Sequence, residues 1–226
     1  MRISPTNLCV FFASFWIHAV LLLLKLFSSF SSNVDVNRRN GTDQLALLQF
    51  KAKITRDPLG VLNSWNDTIN LCQWHGVTCG RRHLRVTKLA LGSLQLSGSI
   101  SPQIGNLSFL TLLNLNGNSF SDEIPSEIGH LRRLETLYFA NNSFSGEIPG
   151  NISSCTNLVN ISISSSLLIG VDLSRNHLIG PLPTEVEKLT HLEGLYLYEN
   201  MLSGVIPSRN LYMEGNFFHG PIPLCL

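Results

Sequence analysis

Apolar residues recur along most of the chain in a frame of twenty-four residues. Segments that begin at Leu110, Leu134 and Leu192 share the frame LxxLxLxxNxFSGxIPxxIGxL, and an earlier copy begins at Val86. Within LxL the apolar residues alternate with outward ones, so each copy predicts a short strand with one buried face. No copy buries its apolar edge alone, so the copies must stack, and an α/β solenoid with a curved parallel sheet on its concave face is predicted.

The same position after each strand carries an asparagine in most copies, and we call it the ladder position. An amide that enters the interior there must be hydrogen-bonded, and backbone groups of neighbouring coils are the expected partners. The frame is that of leucine-rich repeats, and about six to seven of them occupy residues 84–223. The ladder positions are Leu94, Asn118, Asn142, Ser166, Asn176, Asn200 and Asn216.

Two irregularities interrupt this period. Successive ladder positions are 24 residues apart, except that Asn176 follows Ser166 by 10 residues and Asn216 follows Asn200 by 16. A leucine-rich-repeat coil needs about twenty residues, so the spacing predicts broken coils at Ser164–Asp172 and Ile206–Met213. A mis-assembled gene model, an aberrant transcript, a decaying gene copy or a functional bulge would each produce such a pattern.

The N-terminus has the composition of a targeting segment. Arg2 precedes an apolar stretch from Leu8 to Leu24, and small residues follow at Ser29 and Ser31. Residues 1–31 therefore predict a cleaved secretory signal and an extracellular mature chain without an anchor of its own. An uncleaved membrane anchor is the alternative, because the stretch approaches the length of a membrane span.

Residues 32–83 precede the repeats and predict a cap for the first coil. Within them Thr42–Ile54 predicts a helix that places Leu45, Leu48 and Ala52 on one face, with Thr42 or Asp43 capping its start. A solenoid needs its first apolar edge covered, and this segment supplies that cover.

Secretion determines how the cysteines and asparagines are interpreted. Cys72 and Cys79 predict a disulfide in an oxidising compartment. Cys155 predicts a buried free thiol, and Cys225 has no evident partner. Six Asn-x-Ser/Thr motifs predict a glycosylated protein. They are Asn40, Asn66, Asn106, Asn141, Asn151 and Asn160.

Composition and motifs argue against several classes of function. The formal net charge of +1 gives no general case for nucleic-acid or anionic-membrane binding. The one basic run, Arg81 to Arg85, is interpreted as a solvated turn. Kinase, hydrolase, metalloprotease and phosphate-loop motifs are absent from the sequence, and the histidines fall at unrelated repeat positions. We therefore expect no catalytic activity, no metal and no cofactor.

The segments DQLALLQFKAKI, DPLGVLNSWN and CQWHGVTC, followed by LSGxIP repeats, resemble plant leucine-rich-repeat receptor kinases. The resemblance covers roughly residues 1–223 and is closest to the subfamily that contains the receptors for bacterial flagellin and elongation factor. It implies an ectodomain that binds a peptide or protein in innate immunity or other signalling, with a co-receptor kinase as a further partner.

That family continues into a membrane helix and a kinase, which this sequence does not contain. We therefore expect a truncated form that ends at residues 224–226, extracellular as written and at the plasma membrane where a full-length receptor is made. A secreted protein resembling polygalacturonase inhibitors is the alternative, and a non-functional gene fragment is another.

The candidate binding surface is the set of outward residues on the concave strands. Tyrosine offers a large contact area at low entropy cost and is favoured at interfaces, although it is also common on exposed strands. The predicted binding residues are Tyr138, Asp172, Arg175, Glu193, Tyr196, Tyr198, Glu199 and Tyr212.

Overall fold

The computed structural model describes residues 22, 25, 41–158, 171–192, 194–205 and 211–219. The chain divides into two compact units, Met1–Gly41 and Thr42–Leu226. In the first, Leu22 and Lys25 are helical and exposed, and the remainder of the predicted signal segment lies outside the described residues. Among the residues that the structure describes, no helix has the length and apolar composition to cross a membrane.

Short strands and 3-10 helices alternate through the second unit, because each repeat frame carries only a few alternating apolar positions. Residues 41–52 form helix α1. The strands are β1 (Ile54–Arg56), β2 (Val77–Cys79), β3 (Val86–Ala90), β4 (Ser97–Gly98), β5 (Leu112–Asn114), β6 (Ser119–Phe120), β7 (Thr136–Tyr138), β8 (Ser145–Gly146), β9 (Val171–Asp172), β10 (His177–Pro181), β11 (Leu195–Tyr196), β12 (Met201–Val205), β13 (Leu211–Tyr212) and β14 (Phe217–His219). The 3-10 helices are Val61–Ser64, Leu71–Gln73, Pro102–Asn106, Ser126–His130, Gly150–Ser154 and Thr184–Lys188.

One strand from each described coil contributes to a single sheet, which we call the main sheet. Its strand order is β13, β11, β9, β7, β5, β3 and β2. Neighbouring strands are parallel, apart from the antiparallel edge strand β2, which belongs to the cap. The parallel sheet predicted from the repeat frame is therefore confirmed.

A second row of strands follows the ladder positions. Strands β8, β10, β12 and β14 form a parallel sheet, while β4 pairs with β6 and with the cap strand β1. Strands β4, β8 and β12 carry the Ser-Gly pair of the frame. Gly98 has a φ of 141°, and a side chain on it would collide with the Lys53 carbonyl group. Glycine is therefore required where the repeats approach the cap closely.

The ladder amides bond to the backbone of neighbouring coils, as predicted. Asn118 Nδ2 donates to the carbonyl oxygens of Leu91 (2.7 Å) and Leu115 (2.9 Å), and its Oδ1 accepts from the amides of Leu94 and Leu96. Each buried amide is thereby satisfied. Equivalent bonds are made by Asn142, Asn176, Asn200 and Asn216.

The bond from each ladder amide back to the preceding coil measures the length of chain in that coil. It spans 27 residues at Asn118, Asn142 and Asn200. It spans 37 residues at Asn176 and 19 at Asn216. The first irregular coil is therefore ten residues longer than the regular one, and the second is eight residues shorter.

Ser166, which the frame assigns as a ladder position, lies outside the described residues. Strand β7 pairs directly with β9, with Leu137 opposite Val171, so no strand of the main sheet lies between them. Two segments fit the repeat frame here, and the second one, around Val171, pairs with β7. The predicted break at Ser164–Asp172 falls mostly outside the described residues, and Asp172 itself lies in regular β9.

Both sheets keep their register across the short coil. Leu195 pairs with Leu211 in the main sheet, and Ser203 pairs with Phe217 in the second row. Residues 206–210 lie outside the described residues, so the predicted break at Ile206–Met213 stays a prediction for that segment. The ladder is nevertheless continuous across the short coil, because Asn216 donates to the Leu197 carbonyl oxygen and accepts from the Leu202 amide.

Helix α1 packs a different face from the one predicted. Leu45 is 59% exposed and Ala52 is exposed. Phe50 is fully buried, and its ring centroid lies 5.9 Å from that of Phe120 and 6.2 Å from that of Trp65. The large aromatic side chain therefore selects the buried face. That face consists of Asp43, Ala46, Leu47 and Phe50.

Thr42 and Asp43, the two candidate capping residues, both lie within α1, and Asp43 instead joins the cap to the first repeat. Its buried carboxylate accepts from Arg85 Nε (2.9 Å), Arg85 Nη2 (2.6 Å) and the Val86 amide (2.8 Å). A buried charge is stable only when it is paired and hydrogen-bonded, and both conditions are met here.

Candidate functional site

Three of the predicted binding residues form a row across the main sheet. On β9, Asp172 pairs with Tyr138 of β7 on one side and with Tyr196 of β11 on the other. Paired residues of adjacent strands share a face, so the three side chains lie on the same face of the sheet. Both tyrosines are half-buried. We call this row together with Arg175, Tyr198 and Glu199 the binding face.

Asp172 is fully buried and is not the exposed residue that was predicted. Its Oδ1 accepts from the Ser174 amide (3.1 Å) and from Ser174 Oγ (2.7 Å), whereas Oδ2 has no hydrogen-bond partner among the described residues. Burial raises the pKa of the carboxyl group, against the opposing effects of the Ser174 hydrogen bonds and the Arg175 charge. Strand alternation assigned Asp172 to the correct face but could not show that its surroundings cover it.

An exposed charged and aromatic cluster lies beside this row. Arg175 Nε is 3.1 Å from Glu199 Oε2, and Arg175 Cζ is 5.8 Å from the ring centroid of Tyr198. The side chains of Arg175 and Glu199 are more than half exposed. An ion pair this exposed contributes little to stability, so both groups remain available to a partner. The predicted residue Glu193 and the side chain of Tyr212 lie outside the described part of the chain.

The cysteines behave as expected where the structure describes them. Cys72 and Cys79 form a disulfide. Cys155 is a buried free thiol whose Sγ is 3.2 Å from the Ile128 carbonyl oxygen, and burial raises its pKa to about 12. A thiol without thiolate character is unreactive, so Cys155 has a packing role. Cys225 lies outside the described residues.

Four of the six glycosylation motifs lie within the described residues. Asn106, Asn141 and Asn151 are exposed, while Asn66 is half-buried and accepts from the Thr68 amide. Asn141 lies three residues after the end of β7, so a glycan there would crowd the end of the binding face nearest Tyr138. Asn40 and Asn160 lie outside the described residues, and occupancy at all six stays a prediction.

One arrangement was missed from the sequence. Phe109 lies under two guanidinium groups, with Arg85 Cζ at 4.8 Å and Arg133 Cζ at 4.1 Å from its ring centroid. The three residues are 24 positions apart, which is the signal that could have revealed them as a column. Within the described ranges, no three histidine, cysteine or acidic side chains come together in a way that would hold a metal ion.

Comparisons with known proteins match both parts of this architecture. Residues 40–80 match the leucine rich repeat N-terminal domain, and residues 109–131 and 133–155 match the leucine rich repeat. A probable leucine-rich-repeat receptor-like serine/threonine-protein kinase of Arabidopsis thaliana is 60% identical over 79 residues, which are 35% of this chain and 8% of that kinase. The matched part of the chain therefore spans a small fraction of the length of this relative.

Solved structures extend the similarity over most of the chain. The BIR2 ectodomain of Arabidopsis thaliana is 31% identical, with a TM-score of 0.67 over 79% of this chain and 94% of that one. The ectodomain of the receptor kinase GASSHO1/SCHENGEN3 of Arabidopsis thaliana, solved with CASPARIAN STRIP INTEGRITY FACTOR 2, is 32% identical, with a TM-score of 0.72 over 80% of this chain and 22% of that one. With its cap, ladder and parallel sheet, the chain belongs to the leucine-rich-repeat family, in the form found in the ectodomains of plant receptor-like kinases.

Proposed function

We propose that the chain is the ligand-recognition part of a plant receptor kinase and that it binds a peptide or a protein on the binding face. The observation that carries this proposal is the row of Tyr138, Asp172 and Tyr196 across three neighbouring strands, with Arg175 and Tyr198 beside it. It combines aromatic contact area, one guanidinium group and a buried carboxyl group on a rigid sheet. Its role is binding and not catalysis, and it needs neither a metal nor a cofactor.

The spacing of this face suits an extended ligand. Neighbouring strands of a sheet are about 4.8 Å apart, so a peptide laid across the strands meets one side chain from each coil. Tyrosine and arginine are the residues most enriched among those that dominate binding energy, and Arg175 can form two parallel hydrogen bonds to a carboxylate. A ligand carboxylate would compete with Glu199 for that guanidinium group.

The relatives support a peptide or protein ligand and an extracellular location. The ectodomain of GASSHO1/SCHENGEN3, similar over 80% of this chain, was solved together with a partner factor. By analogy we propose secretion directed by residues 1–31, glycosylation of the exposed motifs, and a co-receptor kinase as second partner. Innate immunity is the signalling context that the family resemblance favours.

A panning experiment tests the binding face while the natural ligand is unidentified. The secreted full chain is panned against a phage library of random dodecapeptides, and the enriched peptides are synthesised and titrated by calorimetry. Tyr198→Ala should weaken binding about tenfold or more, the usual effect at a residue that dominates an interface. His177→Ala is the matched control, because His177 is exposed but lies on β10 in the second row of strands.

Either of two results would overturn the proposal. One is that the enriched peptides bind Tyr198→Ala as tightly as the unchanged chain. The other is that panning enriches no sequence beyond those recovered on a surface without the protein.

A further inference from the structure

A column of polar and aromatic residues lies beside the main sheet, along the side where its strands begin. Each member directly precedes the first apolar residue of its coil, so successive members stack along the solenoid. We call this column, with the turns that carry it, the flank. Its members are Arg85, Phe109, Arg133, Asn157 and His191.

The first three members hold one another in place. Arg85 and Arg133 come from the coils before and after Phe109, and both guanidinium groups lie over its ring. The His83 ring is tilted against the same phenyl ring at 5.7 Å between centroids. A guanidinium group over an aromatic face is attracted to it and loses side-chain freedom, so the positive charge of this flank is positioned in advance.

Most of this charge is not neutralised. Arg85 is paired with the buried Asp43. Arg81, Arg82, Arg132 and Arg133 are exposed, and none of these four forms a salt bridge within the described residues. These four exposed guanidinium groups, on the turns before and after the one that carries Phe109, create a local positive potential, although the whole chain has a formal net charge of only +1.

The column continues into an open cleft. The cleft has a volume of about 340 Å³ and is lined by Glu135, Thr156, Asn157 and His191. Its lining residues carry polar groups, among them an acidic acceptor in Glu135 and a donor and an acceptor in the Asn157 amide. It therefore offers hydrogen bonds to an uncharged backbone, next to a strip of positive charge.

We propose that the flank binds an acidic segment of a partner protein, with its carboxylates on the guanidinium groups and its following backbone in the cleft. A peptide fits better than an acidic polysaccharide for two reasons. Two guanidinium groups and the His83 ring already contact the Phe109 ring, which leaves less of its surface for stacking a sugar ring. Glu135 would repel the regularly spaced carboxylates of a polyuronate, whereas a peptide presents N–H donors there.

Poly-L-glutamate labelled with a fluorophore serves as the probe, with fluorescence anisotropy of the full chain as the readout. Arg132→Gln/Arg133→Gln should weaken its binding about tenfold, since each guanidinium group can form two hydrogen bonds to a carboxylate. Binding by the unchanged chain should also weaken as ionic strength rises from about 10 mM to 0.15 M.

Lys53→Gln/Arg56→Gln is the matched control, because it removes the same charge from exposed positions of the cap that do not belong to the column. This control should change the affinity less than twofold. If both double variants lose the same affinity for the probe, binding depends on net charge alone and the proposal is overturned. Tighter binding of an oligogalacturonate of equal charge would assign the flank to a polysaccharide and overturn it as well. Tyr198→Ala should leave probe binding unchanged, so failure at the binding face is distinguished from failure at the flank.

Discussion

The coils before and after residues 159–170 stack in the same way but use different lengths of chain. In the regular half, residues 86–158, the ladder bond to the preceding coil spans 27 residues, with N···O distances of 2.7 Å at Asn118 and 3.0 Å at Asn142. In the irregular half, residues 171–219, it spans 37, 27 and 19 residues, with distances between 2.8 and 3.1 Å. The ladder bond and the strand pairing are therefore the same although the length of chain between successive ladder amides differs.

The two halves differ more in their interiors than in their ladders. The regular half buries Phe120, Phe139 and Phe144 completely, with centroid distances of 5.1 and 6.1 Å from Phe144 to the other two rings. In the irregular half large apolar side chains are exposed instead, including Val205 at 70% and Phe217 at 69%. Backbone bonding is preserved where apolar burial is not, so we expect the halves to differ in stability while sharing one architecture.

The largest effect should come from the aromatic position two residues after the ladder amide. Phe144→Ala should lower the free energy of unfolding by about 3–5 kcal/mol, because it empties a fully enclosed site. Phe218→Ala changes the same repeat position where the side chain is half-buried, and it should cost less than half as much. Chemical denaturation of both variants measures the contrast, and equal losses would show that the interiors of the two halves do not differ.

A smaller effect is expected at the ladder itself. Asn142→Ala removes the donor to the Leu115 and Phe139 carbonyl groups and the acceptor for the Phe120 amide. Leaving such buried groups unpaired should cost about 1–3 kcal/mol. Asn216→Ala should cost less, because water can reach part of its surroundings.

Asn106→Ala, at an exposed position, is the control for the ladder and should stay within about 0.5 kcal/mol. Equal losses in the free energy of unfolding for the Asn142 and Asn216 variants would show that the ladder bonds do not depend on how well the apolar interior of each half is buried.

The smallest effect should be a gain in stability. Asp172→Asn keeps an oxygen for the Ser174 donors and removes a buried charge whose Oδ2 has no hydrogen-bond partner among the described residues. At pH 7 it should raise the free energy of unfolding by about 1 kcal/mol, the lower end of the cost of a buried unpaired group.

The pH dependence checks the cause of that gain. Because folding raises the pKa of Asp172, its contribution is present below the unfolded value near 3.9 and is lost as pH rises through the folded value. The advantage of the asparagine variant should therefore grow with pH over that window. An advantage of the asparagine variant that is independent of pH would contradict this account.

Local patterns predicted the ladder, the parallel sheet, the cap disulfide and the buried thiol, because each depends on residues within one or two neighbouring coils. The failures depend on contacts that the repeat frame does not encode. The helix LALLQF carries two apolar faces, and the choice between them is made by Phe50 meeting Phe120. Two starts, near Ser166 and Asn176, fit the frame equally, and the frame alone could not show that the strand before Asn176 pairs with β7. The burial of Asp172 and the contacts around Phe109 likewise depend on neighbouring coils, which the repeat frame of a single coil does not describe.

Cys155, at the border between the two halves, allows local opening of the protein to be measured by thiol labelling. Its thiol is fully buried just before residues 159–170, and burial raises its pKa to about 12. Alkylating reagents at neutral pH can therefore modify it only when the turn that carries it opens. The rate of its labelling therefore counts spontaneous openings of this single turn in the native protein, without any engineered probe. In an oxidising compartment the same burial keeps an unpaired sulfur away from the cap disulfide, so that correct pairing survives for as long as this coil stays closed.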